Sequence, residues 1–131
     1  GVAPPLDPCR ATRAGERAAL WLGPDEWLLL APSDTPTLAT ALDGLPHSLV
    51  DVSDGYDALL LHGARAALAL SAGCPLDLHP DAFPPGMATR TVLGRIGITL
   101  WRRGAEEWWM EVARSQVAYA RAFLAAAGRG W

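Results

Sequence analysis

Residues 89–112 read TRTVLGRIGITLWRRGAEEWWMEV. Three stretches in this segment are strand-sized: Thr89–Leu93, Gly97–Arg102 and Trp108–Val112. Each is rich in the β-branched and aromatic residues that suit a pleated, half-buried surface. The intervals between them are too short for a crossover helix, so consecutive strands pair antiparallel. Gly94 and Gly97, in the sequence GRIG, read as a bend or a close backbone approach between two strands. The charged run Arg103–Glu107 turns the last pair. Trp108 and Trp109 are adjacent, so a strand must point them to opposite faces. Either that strand is buried on both sides, or one indole is partly exposed beside Arg102 and Arg103.

Working outward, two hairpins precede this unit. In the first, Ala19–Leu22 and Trp27–Ala31 flank the turn Gly23–Glu26. Pro24 and Asp25 suit its central positions, and Trp21 faces Trp27. In the second, Leu49–Ser53 and Tyr56–His62 flank Asp54–Gly55, a dipeptide that accepts the positive φ angles of a tight turn. A helix is predicted from Thr35 to Gly44, and a short one over Arg65–Ala72 with Gly73 as its stop. A closing helix is predicted after Ser115, with Val117, Ala120 and Leu124 on one face. The order β-β-α-β-β-α-loop-β-β-β-α predicts an α+β fold, antiparallel sheets built from hairpins with helices packed on them. The two hairpin-plus-helix units echo one another as a ferredoxin-like pseudo-repeat. Residues 1–17, proline-rich and short of large apolar side chains, read as an irregular arm. Residues 18–131 read as a single α+β domain.

Composition narrows the chemistry. The chain has 131 residues, half of them hydrophobic, with a formal net charge of −3. A chain of this length buries roughly two-thirds of its unfolded surface, so it needs no staples. The small negative charge argues against a nucleic-acid partner. All 11 basic residues are arginine. Lysine-dependent P-loop and Schiff-base chemistry are therefore excluded. Two cysteines, Cys9 and Cys74, make neither a disulfide framework nor a CxxC pair. No apolar run reaches the length of a membrane span, and a reducing cytoplasm is the expected compartment. No glycine-rich dinucleotide fingerprint, nucleophile elbow or HExxH motif is present, so catalytic residues are not expected here.

The segment Gly73–Gly86, GCPLDLHPDAFPPG, carries four prolines: Pro75, Pro80, Pro84 and Pro85. Each fixes φ and lacks an N–H, so the segment is neither helix nor central strand. Leu76, Leu78 and Phe83 nevertheless alternate with Asp77, His79 and Asp81, which marks an ordered loop packed against something. Asp77, His79 and Asp81 share a face in an extended loop and are the candidate metal ligands. The competing reading has the carboxylates capping loop N–H groups. Cys74 reads as a small buried thiol filling space. Asp51, in mid-strand on the same face as Ser53, needs a partner such as Arg90 or Arg95 if that face is covered.

The loop also resembles a known family. GCPLDLHP followed by FPPG is similar to the gamma subunits of bacterial heterotetrameric sarcosine oxidase. Trp21–Pro32 (WLGPDEWLLLAP), Ser48–Gly63 (SLVDVSDGYDALLLHG) and Thr89–Arg103 match the same family in order. The resemblance implies a fold similar to part of the folate-binding aminomethyltransferases, such as the glycine-cleavage T-protein. It implies a non-catalytic subunit that supports the oxidative demethylation of sarcosine to glycine. FAD, FMN, NAD, zinc and tetrahydrofolate would then belong to the alpha, beta and delta subunits, with no cofactor in this chain. Leu76, His79, Phe83, Arg102 and Trp108 are the expected partner-facing residues, since exposed tryptophan and arginine are enriched at interface centres. Self-association is expected when the partner is absent. The alternative is a stand-alone folate-binding or aminomethyl-transferring protein, for which Asp51 is the candidate pterin-binding carboxylate.

Overall fold

A computed structural model describes residues 4–31, 44 and 48–128. Its strands are β1 (Ala11–Ala14), β2 (Arg17–Gly23), β3 (Glu26–Leu30), β4 (Tyr56–His62), β5 (Ala88–Leu93), β6 (Ile96–Gly104) and β7 (Glu107–Ala113). Two helices complete the described elements, α1 (Ala66–Ser71) and α2 (Val117–Gly128). The chain is α+β. One sheet has the order β1-β2-β3 and the other β4-β7-β6-β5, and every neighbouring pair is antiparallel.

The three strands of residues 89–112 form as read, each one to three residues longer than the stretch read from the sequence. The first hairpin also forms, with Trp21 opposite Trp27 and Pro24–Asp25 between the strands. The four-stranded sheet is covered on both sides, which settles where the paired indoles go. Trp108 is fully buried on one face, with Leu70, Leu78, Phe83, Leu93, Leu100, Met110 and Val112. Helices α1 and α2 contribute Leu70, Ala120 and the partly buried Phe123 and Leu124 to that core. Trp109 lies on the opposite face, against a smaller cluster of Ala18, Leu20, Ala88 and Trp101 supplied partly by the three-stranded sheet. The two-sided buried strand is therefore the arrangement adopted.

Several local expectations change. Leu49–Ser53 is not a strand. Residues 48–52 carry no regular structure and Ser53–Gly55 is a 3-10 turn that leads directly into β4. Asp51 accepts hydrogen bonds from the Ser53 N–H (2.9 Å) and the Ser53 hydroxyl, and this local bonding competes successfully with a strand ladder. The arm of residues 1–17 is not wholly irregular, because β1 lies within it and pairs with β2. Residues 9–11 then tie the two sheets together. The Ala11 N–H donates to the Gly86 carbonyl, the Ala88 N–H to the Cys9 carbonyl and the Trp21 N–H to the Arg10 carbonyl. Ser115 does not cap the closing helix. It sits inside a 3-10 turn, Arg114–Gln116, that feeds α2. The helix expected at Thr35–Gly44, which would complete the first unit of the pseudo-repeat, lies outside the described residues apart from Gly44. Among the described residues no helix is long and apolar enough to cross a membrane.

Candidate functional site

The loop between α1 and β5 is held from below by one side chain. A loop with four prolines is short of N–H donors and has no ladder partner for its buried carbonyls. Arg102 supplies the donors. Its Nη1 donates to the Leu78 carbonyl (3.2 Å) and the Phe83 carbonyl (2.9 Å). Its Nε donates to the Gly104 carbonyl (3.3 Å) and Nη2 to the Ala105 carbonyl (2.6 Å). The guanidinium carbon lies 4.7 Å from the Trp108 ring centre, and Phe83 packs on the same indole at 5.1 Å between centroids. Arg102 is only 5% exposed. Burying a cation costs several kcal/mol in order of magnitude. Four charge-assisted bonds of about 1.5–3 kcal/mol each, with the cation–π contact, offset that cost.

Backbone bonds fix the two ends of the loop. The Cys74 N–H donates to the Leu70 carbonyl as α1 ends, and the Gly94 N–H donates to the Gly73 carbonyl. At the other end the Gly86 N–H donates to the Arg102 carbonyl, and the Arg102 N–H to the Met87 carbonyl. Gly73 and Gly94 meet the aromatic side of α2. A Cβ on Gly73 would strike the Phe123 ring and one on Gly94 the Tyr119 hydroxyl. Gly94 also has φ +60°, so the turn between β5 and β6 requires glycine twice over. The close approach read from GRIG is thus seen at Gly94; Gly97 has open space instead.

The alternation within the loop is as read. Leu78 and Phe83 are buried and Leu76 is half-buried, while Asp77, His79 and Asp81 face outward. Two of the three polar side chains serve the loop's own backbone, and the third, Asp81, lies with its carboxylate 3.6 Å from the His79 imidazole. Asp77 accepts the His79 N–H (3.0 Å), and His79 Nδ1 accepts the Asp81 N–H (3.1 Å). The His79 carbonyl accepts from Ala82 and Phe83. Among the described residues no three His, Cys, Asp or Glu side chains are grouped to hold a metal ion. Cys74 is buried, with its Sγ 3.7 Å from the Thr91 hydroxyl.

Two sequence expectations for the site need correction. Phe83, Arg102 and Trp108 are interior residues, so they shape the loop rather than offer contact area; Leu76 is half-buried against the main core, and His79 remains on the loop's outer side. The signal for Arg102 was its place at the end of the apolar run GITLW, on the same face as Leu100. Asp51 stands on an exposed segment and engages Ser53, not Arg90. Arg90 reaches Glu26 at 2.8 Å instead. Glu111 was missed by sequence reasoning. It lies on the Trp109 face of β7, and burial pushes its carboxyl above the ordinary glutamate range, with the positive charge of Arg90 acting the other way.

Known proteins with this architecture can be compared directly. A subunit gamma of sarcosine oxidase from an Arthrobacter species is 43% identical over 96 residues, which is 71% of this chain and 47% of that protein. The subunit gamma from Corynebacterium sp. (strain U-96) is 45% identical over 94 residues, 70% of this chain and 46% of that protein. The chain thus spans about half the length of the curated relatives it matches. Its fold is similar to a chain in the structure of heterotetrameric sarcosine oxidase from Corynebacterium sp. U-96 in complex with pyrrole 2-carboxylate. The TM-score is 0.89 at 37% identity, covering 97% of this chain and 67% of that one. A model of the sarcosine oxidase gamma subunit family matches residues 8–129, the whole span from β1 to the end of α2 together with the clamped loop; the chain belongs to that family.

Proposed function

We propose that the chain is the gamma subunit of a heterotetrameric sarcosine oxidase, a non-catalytic component that supports assembly of the complex oxidising sarcosine to glycine. The observation that carries this reading is the likeness over 97% of the chain to a component of such a heterotetramer. The clamped loop supports it. Four prolines and the Arg102 clamp leave little conformational entropy to lose when a neighbour docks. Its outer side, with exposed His79 and what half-buried Leu76 leaves accessible, is the surface on offer.

On this reading the partners are the alpha, beta and delta subunits, assembled in the cytoplasm. FAD, FMN, NAD, zinc and tetrahydrofolate then reside with those subunits, and this chain meets neither nucleic acid nor membrane. The test is co-expression with the other subunits, followed by size-exclusion chromatography and sarcosine-dependent peroxide release. The chain is expected to co-elute in fixed stoichiometry, and its omission to lower the yield of active complex. If the other subunits assemble and turn over normally while this chain elutes alone, the reading fails.

A further inference from the structure

β4 is the outermost strand of its sheet, with β7 on one side and no strand paired to the other among the described residues. An edge strand presents a row of unpaired N–H and C=O groups, and natural proteins usually blunt such edges with proline, a bulge or an inward charge. β4 has one such charge, Asp57 at its start, opposite Val112 and paired with Arg114 at 3.5 Å; from Ala58 to Leu61 it carries none of these. Its sequence is YDALLLH, its pairing with β7 runs unbroken from Tyr56–Ala113 to His62–Glu107, and no charged residue lies between Asp57 and His62. A cavity of about 410 Å³ runs beside it, lined by Ala58, Leu59, Leu60 and Leu61 together with Arg121 and Leu124 of α2. Successive strand residues point to opposite faces. A cavity touching four in a row therefore follows the edge of the strand and not one of its faces. A second hollow, beside His62, shares Leu61 and Leu124 with it. No carboxylate lines either hollow, and Arg121 makes no ion pair among the described residues.

We propose that the outer edge of β4 takes up one extended segment of a partner subunit by strand addition, a segment with apolar side chains at alternate positions and a carboxylate that meets Arg121. This deepens the reading of the chain as a subunit and rests on it. Main-chain groups of the edge supply the affinity, while the groove under Leu59, Leu61 and Leu124 and the Arg121 cation select the occupant. A second copy of this chain fits less well. Pairing β4 with its own copy brings two Arg121 guanidinium groups to the same strand centre, like charge against like.

Hydrogen exchange tests it, comparing the isolated chain with the complex co-expressed with the other sarcosine oxidase subunits. Backbone amides within Ala58–Leu61 are expected to exchange at least about tenfold more slowly in the complex, the mark of new ladder bonds. Leu60→Lys and Arg121→Glu, both at exposed positions, are expected to weaken co-elution by about tenfold or more with thermal unfolding unchanged. Assembly that leaves exchange at Ala58–Leu61 unaltered overturns the edge assignment and keeps the subunit reading. Protection already present in the isolated chain also overturns it. Concentration-dependent protection would then indicate a second copy, and concentration-independent protection another segment of the same chain. If the wild-type chain fails to assemble at all, the subunit reading itself is overturned, a result distinct from the others.

Discussion

Arg102 and Trp108 stack across neighbouring strands, the guanidinium carbon 4.7 Å from the indole centre. This pair sits between the sheet and the proline-rich loop. Trp108 orients the cation, and the cation reaches carbonyls at Leu78 and Phe83 above and at Gly104 and Ala105 beside it. A loop with no ladder of its own is thereby given one shared donor.

Arg102→Met should destabilise the chain by about 3 kcal/mol, read as a lower urea midpoint. Replacing a buried charge with an apolar side chain is sometimes neutral, because desolvation of the ion disappears too. Here the acceptors stay behind, and the buried Leu78 and Phe83 positions keep carbonyls that water reaches poorly. Arg102→Lys should recover only a minor part, since an ammonium lacks the planar fork that spans four acceptors. Wild-type stability in Arg102→Met would show that the carbonyls rehydrate.

Gly94→Ala should cost about 2 kcal/mol from two sources, the left-handed backbone and the clash of the new Cβ with the Tyr119 hydroxyl. The two separate in a double-mutant cycle. Tyr119→Phe removes the hydroxyl that accepts the Arg95 N–H at 3.2 Å, costing about 1 kcal/mol by itself. Combined with Gly94→Ala it should cost less than the sum, since the clash with the hydroxyl is gone. Additive values would place the Gly94→Ala effect in the backbone and the Phe123 contact, not in the Tyr119 hydroxyl.

Neighbouring loop residues should respond in opposite ways. Leu78→Ala should lower stability by about 2–4 kcal/mol, because the side chain is buried in the main core. His79→Ala should change it by no more than about 0.5 kcal/mol, since the imidazole is exposed. On the proposed function, His79→Ala should instead weaken co-elution with the other subunits. Calorimetry and chromatography on the same two variants check both halves.

Much of this was legible in the sequence because period and punctuation agreed. The three strands of residues 89–112 alternate clearly, and the Leu–Asp–Leu–His alternation in the loop gave its inward face. Asp54–Gly55 misled because a turn dipeptide specifies a reversal only when both flanks prefer to be strands. Asp51 instead bonds Ser53 two residues on, and the upstream flank stays irregular. β1 was hidden because a four-residue strand of small and polar side chains carries no hydrophobic alternation. Arg102 was read as exposed because charge normally means surface. Its role depends on carbonyls about twenty residues away in sequence, which no local pattern encodes.

Glu111 gives the chain a pH dependence whose sign follows from its burial. Burial holds its carboxyl above the ordinary glutamate range, with Arg90 opposing the shift. A carboxyl that binds its proton more tightly folded than unfolded contributes stability fully present below the unfolded value, about pH 4.3. That contribution is lost as pH rises through the folded value, since the folded state must then carry a partly desolvated anion. Glu111→Gln, which is neutral throughout, should therefore match wild type more closely at pH 4 than at pH 7. At pH 7 it should be the more stable of the two. Arg90→Gln should raise the Glu111 titration further by removing the opposing charge, although it also breaks the exposed Arg90–Glu26 pair, worth no more than about 1 kcal/mol. Urea denaturation across pH 4–7, with carboxyl-carbon NMR of Glu111, measures both effects. A Glu111→Gln variant whose stability relative to wild type does not change with pH would show that water reaches the carboxylate in the folded protein.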